Sequence, residues 1–276
     1  MKNEEFLEKF NERLAKVVES STKVEKAMNY SLSSGGKRLR PLLIKLSSED
    51  MSVNVDLIWH PALAVELFHT ASLIHDDLPQ IDDSPLRRGK PSCHMVYGND
   101  FAILAGDGLM LKAFEVLSLS NVSPVQKAVL FEVFSRATYD VLIGESLDVE
   151  YTGRSEELGK VLRMYAKKTG ALFAFCLACG AILSGRFDLI DRLSKLGTVL
   201  GIWFQIVDDL KDLLADEKQT GKSVGRDKIL GKPTVVSIMG VQKAQIFADN
   251  LLRGVINRLD ELQMKKLTGF LGTFAH

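Results

Sequence analysis

Ala71-Ser72-Leu73-Ile74-His75-Asp76-Asp77-Leu78-Pro79-Gln80-Ile81-Asp82-Asp83 is the stretch whose reading decides the fold. An apolar run, Ala71 to Ile74, passes directly into four aspartates within eight residues. Upstream, Leu63, Leu67, Thr70 and Ile74 recur along one side of a helical pattern over 57–77, so the run reads as the end of a buried helix. The acids emerge where that helix stops. Pro79 lacks an N–H and disturbs the helix, which presents Asp82 on a broken turn. Like charges this close repel, so a cation is expected to hold them together.

The same device returns downstream. The apolar run Ile202 to Val207 ends in Asp208-Asp209-Leu210-Lys211-Asp212, and Asp208 and Asp212 share one helix face. Oxygen donors without histidine or cysteine suit Mg²⁺, which takes one or two carboxylates together with a substrate phosphate. A lone acidic cluster reads equally well as a solvated helix end. Two clusters, each closing an apolar segment, are harder to explain that way.

Positive charge gathers in turns. Ser33-Ser34-Gly35-Gly36-Lys37-Arg38-Leu39-Arg40-Pro41 is a glycine turn followed by a proline suited to the first turn of a new helix. Its cations sit near a helix N-terminus, where free N–H groups favour anions. Leu86-Arg87-Arg88-Gly89-Lys90-Pro91 follows the first acids, a composition suited to a metal–diphosphate site. His69 lies two helical turns before Asp76 and points to the same side. Gly221-Lys222-Ser223-Val224-Gly225-Arg226-Asp227 and Gly231-Lys232-Pro233-Thr234 follow the second acids but lack the P-loop spacing. Lys168-Thr169-Gly170 interrupts a helical pattern over 155–184, and its glycine predicts a kink that turns a lysine and a hydroxyl inward.

The remaining chain is helical in pattern. An amphipathic helix over 4–29 carries Phe6, Phe10, Leu14, Val17 and Val18, and further helices are expected over 98–119, 124–151, 188–215 and 235–264. Residues 171–184 are apolar all round and too short to cross a bilayer, which makes them a central core helix. Cys176 and Cys179 read as small core residues, because no second pair or nearby histidine completes a zinc set. Alternating strand patterns are absent. The fold expected is all-α, one domain over 1–276 forming a large helical bundle around a central cavity. Lysine plus arginine and aspartate plus glutamate both number 35, so bulk attraction to nucleic acid or membrane has no support. No uninterrupted apolar run reaches the roughly 20 residues that span a bilayer. Three cysteines and a charged start without a signal peptide point to a reducing cytoplasm.

Taken together, the Gly35–Pro41 stretch, the first acids with Leu86–Pro91, Leu104-Ala105-Gly106-Asp107, Lys168-Thr169-Gly170 and Phe204-Gln205-Ile206-Val207-Asp208-Asp209 resemble the trans-isoprenyl diphosphate synthases over nearly the whole chain. Four residues between Asp77 and Asp82 look like the longer first motif of bacterial farnesyl and many geranylgeranyl diphosphate synthases. The resemblance implies the isoprenoid synthase fold, a homodimer, and condensation of isopentenyl diphosphate with dimethylallyl, geranyl or farnesyl diphosphate. It implies three Mg²⁺ held by Asp76, Asp82 and Asp208, supported by Asp77, Asp209 and Asp212. Arg87, Lys168, Lys222 and Lys232 would hold the allylic diphosphate, and Lys37, Arg40, His69 and Arg88 the isopentenyl diphosphate. Lys168, Thr169 and Gln205 would serve the reacting centre, the last two offering oxygen dipoles to the allylic cation. Many relatives close over substrate with a basic tail. Here the sequence ends Gly272-Thr273-Phe274-Ala275-His276, so either closure comes from the loop around Lys222 to Lys232 or the sequence is a truncated one. A class I terpene cyclase and an inactive subunit of a heteromeric synthase are the alternatives. A cyclase usually has a mixed Asn/Ser/Glu second site, and an inactive subunit would have lost acids or arginines.

Product length should be written in the helix before Asp76. Ala71 lies about 7.5 Å down that helix, where farnesyl-making relatives commonly place an aromatic floor. Ala71 and Ser72 are small, and Phe68, about 12 Å down, is a deeper stop. Twenty carbons are expected, with fifteen the alternative if Met110 and Phe114 of a neighbouring helix block the tunnel.

Overall fold

The structure is a computed structural model that describes residues 1–218 and 231–275. Contacts divide the chain into two units. Unit 1 comprises residues 1–45 and 54–131, and unit 2 comprises residues 46–53 and 132–276.

Unit 1 begins with α1 (Asn3–Leu14), whose Phe6, Phe10 and Leu14 are buried at i, i+4 spacing. Phe6 stacks on Trp59 with ring centroids 5.1 Å apart, and the Arg13 guanidinium lies 4.5 Å over the same indole. The single helix expected over 4–29 is broken. After Leu14 the chain leaves the helix and restarts as α2 (Lys23–Leu32) under a capping box between Thr22 and Glu25. Donors from Ser21 and Thr22 pull the Glu25 carboxyl down to about 2. The Asn29 amide ties the connection by donating to the carbonyls of Val18 and Glu19.

Helix α3 (Leu39–Asp50) runs from unit 1 into unit 2. Helix α4 (Trp59–Asp76) buries most of the side chains before its acids, as the apolar run predicted. It packs on α6 (Asn99–Ser118), where Ala102, Ala105, Gly106 and Ala113 keep the contact face small. Between them, β1 (Leu86–Arg87) and β2 (Lys90–Pro91) pair antiparallel, a short hairpin that strand alternation did not announce. Arg88 and Gly89 at its tip both have positive φ, the two-residue geometry suited to strand twist. Helix α5 (Cys93–Tyr97) precedes α6.

Helix α7 (Pro124–Tyr151) starts in unit 1 and continues into unit 2. There α8 (Leu158–Tyr165) passes through one π-helical turn, Ala166–Gly170, into α9 (Ala171–Ser184). This turn is the interruption predicted at Lys168-Thr169-Gly170. Helix α9 is the core helix of unit 2, with Cys176 and Cys179 buried and unpaired by disulfide. Helix α10 (Ile190–Lys218) packs along it. The pattern over 235–264 divides at Gly240 into α11 (Val235–Met239) and α12 (Val241–Glu261). Helix α12 lays Ala244, Ala248, Leu252, Val255 and Leu259 toward α10. Asp50 accepts from the amides of Lys266 and Leu267 and so caps α13 (Lys265–Gly272). By length and composition Val55–Asp76 and Leu158–Ser184 could each cross a bilayer, but 72% and 78% of their apolar windows are buried inside the protein, as in core helices.

Candidate active site

In unit 1, α4 ends at Asp76, and Asp77 is its C-cap. The chain then folds back on itself. The Asp82 amide donates to the Asp76 carbonyl at 3.0 Å, and the Ser84 amide donates to the Asp77 carbonyl at 3.0 Å. A spacing of six residues thus becomes adjacency in space. Asp77 is buried, and both of its carboxylate oxygens accept from Arg87. Burial acts to lower the Arg87 pKa, but Asp77, with Asp76 and Asp82 beside it, carries it above the ordinary value. Asp77 and Arg87 are therefore partners, whereas Asp76 and Asp82 remain near the surface of the turn.

The neighbouring arginines of the hairpin part company. Arg88 donates to the Gly35 carbonyl, and a Cβ on Gly36 would fall 2.6 Å from its guanidinium carbon. Gly36, lacking a Cβ, therefore leaves room for the Arg88 guanidinium against the backbone. Arg38 is buried and serves the fold, paired with Glu66 at 2.6 Å and bonded to Asn11 and the Leu32 carbonyl. Lys37 is exposed. Burial, then Arg40, Arg88, Arg87 and Arg38, push the His69 imidazole well below its usual pKa, so it is neutral at pH 7. His69, Arg40 and Arg88 thus share one electropositive basin.

Sequence reasoning missed His75. Its Nε2 lies 3.2 Å from the Ile103 carbonyl and 3.6 Å from Asp107, and a Cβ on Gly106 would meet the ring at 2.1 Å. The Gly106-Asp107 pair was the available signal, since a small residue followed by an acid suits a ring seated on the helix. Along α4, Phe68 and Ala71 are buried, and the Ser72 hydroxyl donates to the His69 carbonyl. Met110 and Phe114 on α6 are half-buried.

In unit 2, Asp208 and Asp212 are exposed and Asp209 is buried. Asp209 accepts from the Tyr165 hydroxyl and, at 3.0 Å, from the Gln205 amide. The Gln205 oxygen accepts from Thr169 at 2.9 Å, and the Val235 amide donates to Tyr165 at 3.3 Å. Thr169 and Gln205, expected at the reacting centre, are thus joined to each other and, through the Gln205 amide, to Asp209. Tyr165 was not foreseen. Lys168 pairs with Glu145 at 2.7 Å and Asp148 at 2.6 Å, and Lys232 pairs with Asp148 at 2.8 Å. Burial would raise the Asp148 carboxyl, yet the two lysines outweigh it and hold it below the usual range. Gly144 and Gly201 let α7 and α10 close on the π turn. A Cβ on Gly144 would fall 2.1 Å from the Lys168 nitrogen, and one on Gly201 would fall 2.4 Å from the Gly170 Cα. Lys222 lies outside the described residues.

Among the described residues no three acid, histidine or cysteine groups converge to hold a metal unaided. The donor set nonetheless fits Mg²⁺, which takes one or two carboxylates and completes its shell with substrate phosphate. Oxygen-only acids stand on one folded-back turn, beside cations suited to phosphate.

Residues 21–268 match the model of a family described as polyprenyl synthetase. The chain is 37% identical over 256 residues to a chloroplastic geranylgeranyl pyrophosphate synthase of Capsicum annuum, covering 91% of this chain and 69% of that protein. It is similar to the crystal structure of a geranyltranstransferase from Thermotoga maritima, with 41% identity, a TM-score of 0.87, and 98% and 96% of the two chains covered. It also superposes on a geranyltransferase from Helicobacter pylori complexed with magnesium and isoprenyl diphosphate, with 28% identity, a TM-score of 0.83, and 98% and 95% covered.

Proposed function

The chain belongs to the polyprenyl synthetase family and is a short-chain trans-prenyltransferase of all-α isoprenoid synthase fold; from that premise we propose that it condenses isopentenyl diphosphate with dimethylallyl, geranyl and farnesyl diphosphates, as one catalytic domain. The observation that carries this reading is the turn that brings Asp82 onto Asp76 within reach of the Arg87 and Arg88 hairpin. Acids and cations arranged side by side suit a metal-bound diphosphate.

Asp76, Asp82 and Asp208 would hold Mg²⁺, three ions in this reading, supported by Asp77, Asp209 and Asp212, of which Asp77 is held by Arg87 and Asp209 by Gln205. When bound, the metal supplies electrostatic stabilisation of the leaving diphosphate. Lys168 and Lys232 oppose the same developing charge, with Lys222 as a further candidate, while Arg87 braces the acids. The allylic C–O bond breaks, and the electron pair leaves with the diphosphate. Thr169 offers its lone pairs to the cation left behind. Arg40, His69, Arg88 and Lys37 seat isopentenyl diphosphate, whose double bond attacks the allylic carbon in a 1'-4 condensation. A proton is then lost from the new tertiary cation to the departed diphosphate, restoring a double bond. Apolar α4, in the unit that carries Asp76 and Asp82, would help to exclude the water that quenches the cation. Exposed Leu104 and Leu111 on α6, and Tyr139 and Leu142 on α7, support a homodimer. Buried Cys93, Cys176 and Cys179 support a cytoplasmic setting.

Buried, small Ala71 with Phe68 one turn deeper favours a twenty-carbon product over fifteen. The test is incubation of purified protein with Mg²⁺, labelled isopentenyl diphosphate and geranyl diphosphate, followed by chromatography of the dephosphorylated alcohols. Chain-extended alcohols are expected, shifted one unit shorter by Ala71→Phe and lengthened by Phe68→Ala. Cyclic hydrocarbons, or no consumption of isopentenyl diphosphate, would overturn the proposal.

A further inference from the structure

Asp148 sits on α7 with 5% of its surface exposed. Its Oδ2 accepts from Lys168 Nζ at 2.6 Å and from Lys232 Nζ at 2.8 Å. One lysine comes from the π turn and the other from the approach to α11. A single carboxylate oxygen therefore joins two cations delivered by separate parts of unit 2.

Two ammonium groups this close repel, and only an anion between them holds both in place. Burial strengthens the link, since the low-dielectric surroundings screen it little. The backbone supports the same geometry from both sides. Gly144, one turn before Asp148 on α7, lets the Lys168 backbone pack directly on the helix. Past the end of α7, the Gly153 amide donates to the Gly231 carbonyl at 3.0 Å, fixing the chain immediately before Lys232. Glu145 adds a second carboxylate to Lys168 but none of the described contacts to Lys232. Asp148 bridges the two through one oxygen.

We propose that Asp148 is the positioning residue that sets Lys168 and Lys232 together against the diphosphate leaving the allylic substrate. This rests on the reading of those two lysines as ligands of that diphosphate. A lysine acts on phosphate as a point charge on a flexible stem, so its contribution depends on where the stem is pinned. Without Asp148 the two charges move apart, and the loss falls on the allylic substrate and its ionisation. The isopentenyl diphosphate seat, built from unit 1, is untouched.

The experiment is steady-state kinetics of Asp148→Asn, Asp148→Glu, Lys232→Gln and the Asp148→Asn/Lys232→Gln double variant. Each substrate is varied at saturation of the other, and melting temperatures are recorded alongside. Asp148→Asn is expected to lower kcat/KM for geranyl diphosphate by on the order of tenfold or more, as for loss of a charge-assisted contact. KM for isopentenyl diphosphate should stay within about twofold. The double variant should be no worse than the poorer single variant, because both remove one link. Asp148→Glu, which keeps the charge, should regain part of what Asn loses. Equal changes in both KM values, losses that multiply in the double variant, or a Glu variant no better than Asn would each overturn the role. If Asp148→Asn does not fold, Asp148→Ser takes its place: a selective allylic loss supports the proposal, and its absence overturns it. Wild-type protein that does not extend geranyl diphosphate refutes the functional reading itself; active wild-type protein with an indifferent Asp148→Asn refutes only this inference.

Discussion

In unit 1 the inner aspartate, Asp77, meets a guanidinium; in unit 2 the inner aspartate, Asp209, meets a phenol and an amide. Both pairs bury the second acid and leave the first nearer solvent. The materials behind them differ. Arg87 neutralises Asp77 and is in turn held by the charges of Asp76 and Asp82. Tyr165 and Gln205 instead make Asp209 the acceptor on which two donor chains converge, one from the Val235 amide and one from the Thr169 hydroxyl. One acidic centre is organised by charge and the other by hydrogen-bond geometry. They should fail in different ways when single groups are removed.

The largest effect is expected where the two centres are alike. Asp76→Ala and Asp208→Ala each remove an outer acid, and each should lower turnover by on the order of 10³ or more. Both acids lie beside other acids, so their loss relieves repulsion and the melting temperature should hold or rise slightly. Turnover at saturating Mg²⁺, measured beside thermal melting, checks both parts. Near-wild-type turnover by either variant would break the parallel at its root, because the outer acids would then have no common task.

The difference between the inner acids could not be read along the chain, and the reason is physical. Spacing reports neighbours on one element: apolar residues up to Ile74 gave the helix, and Pro79 gave the turn. It also gave the interruption at Gly170, although the π turn itself depends on Gly144 and Gly201 approaching from other helices. Arg87 and Arg88 are adjacent in sequence and equivalent in composition. Only the hairpin, with positive φ at Arg88, sends one to Asp77 and the other to Gly35. Arg38 read as a phosphate cation until burial and Glu66 placed it in the fold. Tyr165 gave no signal, since a tyrosine ending an amphipathic helix is ordinary core until its hydroxyl finds Asp209. The expected helix over 4–29 failed because Thr22 and Glu25 satisfy backbone amides locally, and hydrophobic spacing does not register that competition.

A smaller effect, read in stability, separates the two centres. Arg87→Met leaves the Asp77 carboxylate buried beside lost donors, a change that costs about 3 kcal/mol. Partial exposure of Arg87 puts the expectation at the low end of that class. Tyr165→Phe removes a hydrogen bond to a charged acceptor, about 1.5–2 kcal/mol. Adding Asp77→Leu to Arg87→Met should recover part of the loss, since no uncompensated charge then remains. Adding Asp209→Leu to Tyr165→Phe should not, because the Gln205 amide and Thr169 lose their orientation as well. Urea denaturation of the four variants measures this. Recovery in both double variants would show that charge organises both centres alike.

The smallest effect tests whether the charge-organised side responds to pH. His69 is held neutral by burial and by Arg40, Arg88, Arg87 and Arg38, so its folded pKa lies well below its ordinary 6.5. In the unfolded chain the same imidazole takes up a proton as pH falls through 6.5. The unfolded state then binds more protons than the folded one, and stability declines as pH drops below 6.5. The contribution is fully present above that value, and its loss runs at no more than about 1.4 kcal/mol per pH unit. His60 shifts in the same direction, through burial and then Arg13 and Lys127, so wild-type protein alone cannot assign the slope. His69→Gln can: between pH 7.5 and 5.5 it should lose about 1 kcal/mol less than wild type. Tyr165→Phe, on the hydrogen-bonded side, should keep the wild-type slope, since it alters no group that titrates in this window. Chemical denaturation at the two pH values decides the matter. A His69→Gln slope equal to wild type would mean that the four arginines do not act on His69, and the electropositive basin assigned to unit 1 would lose its centre.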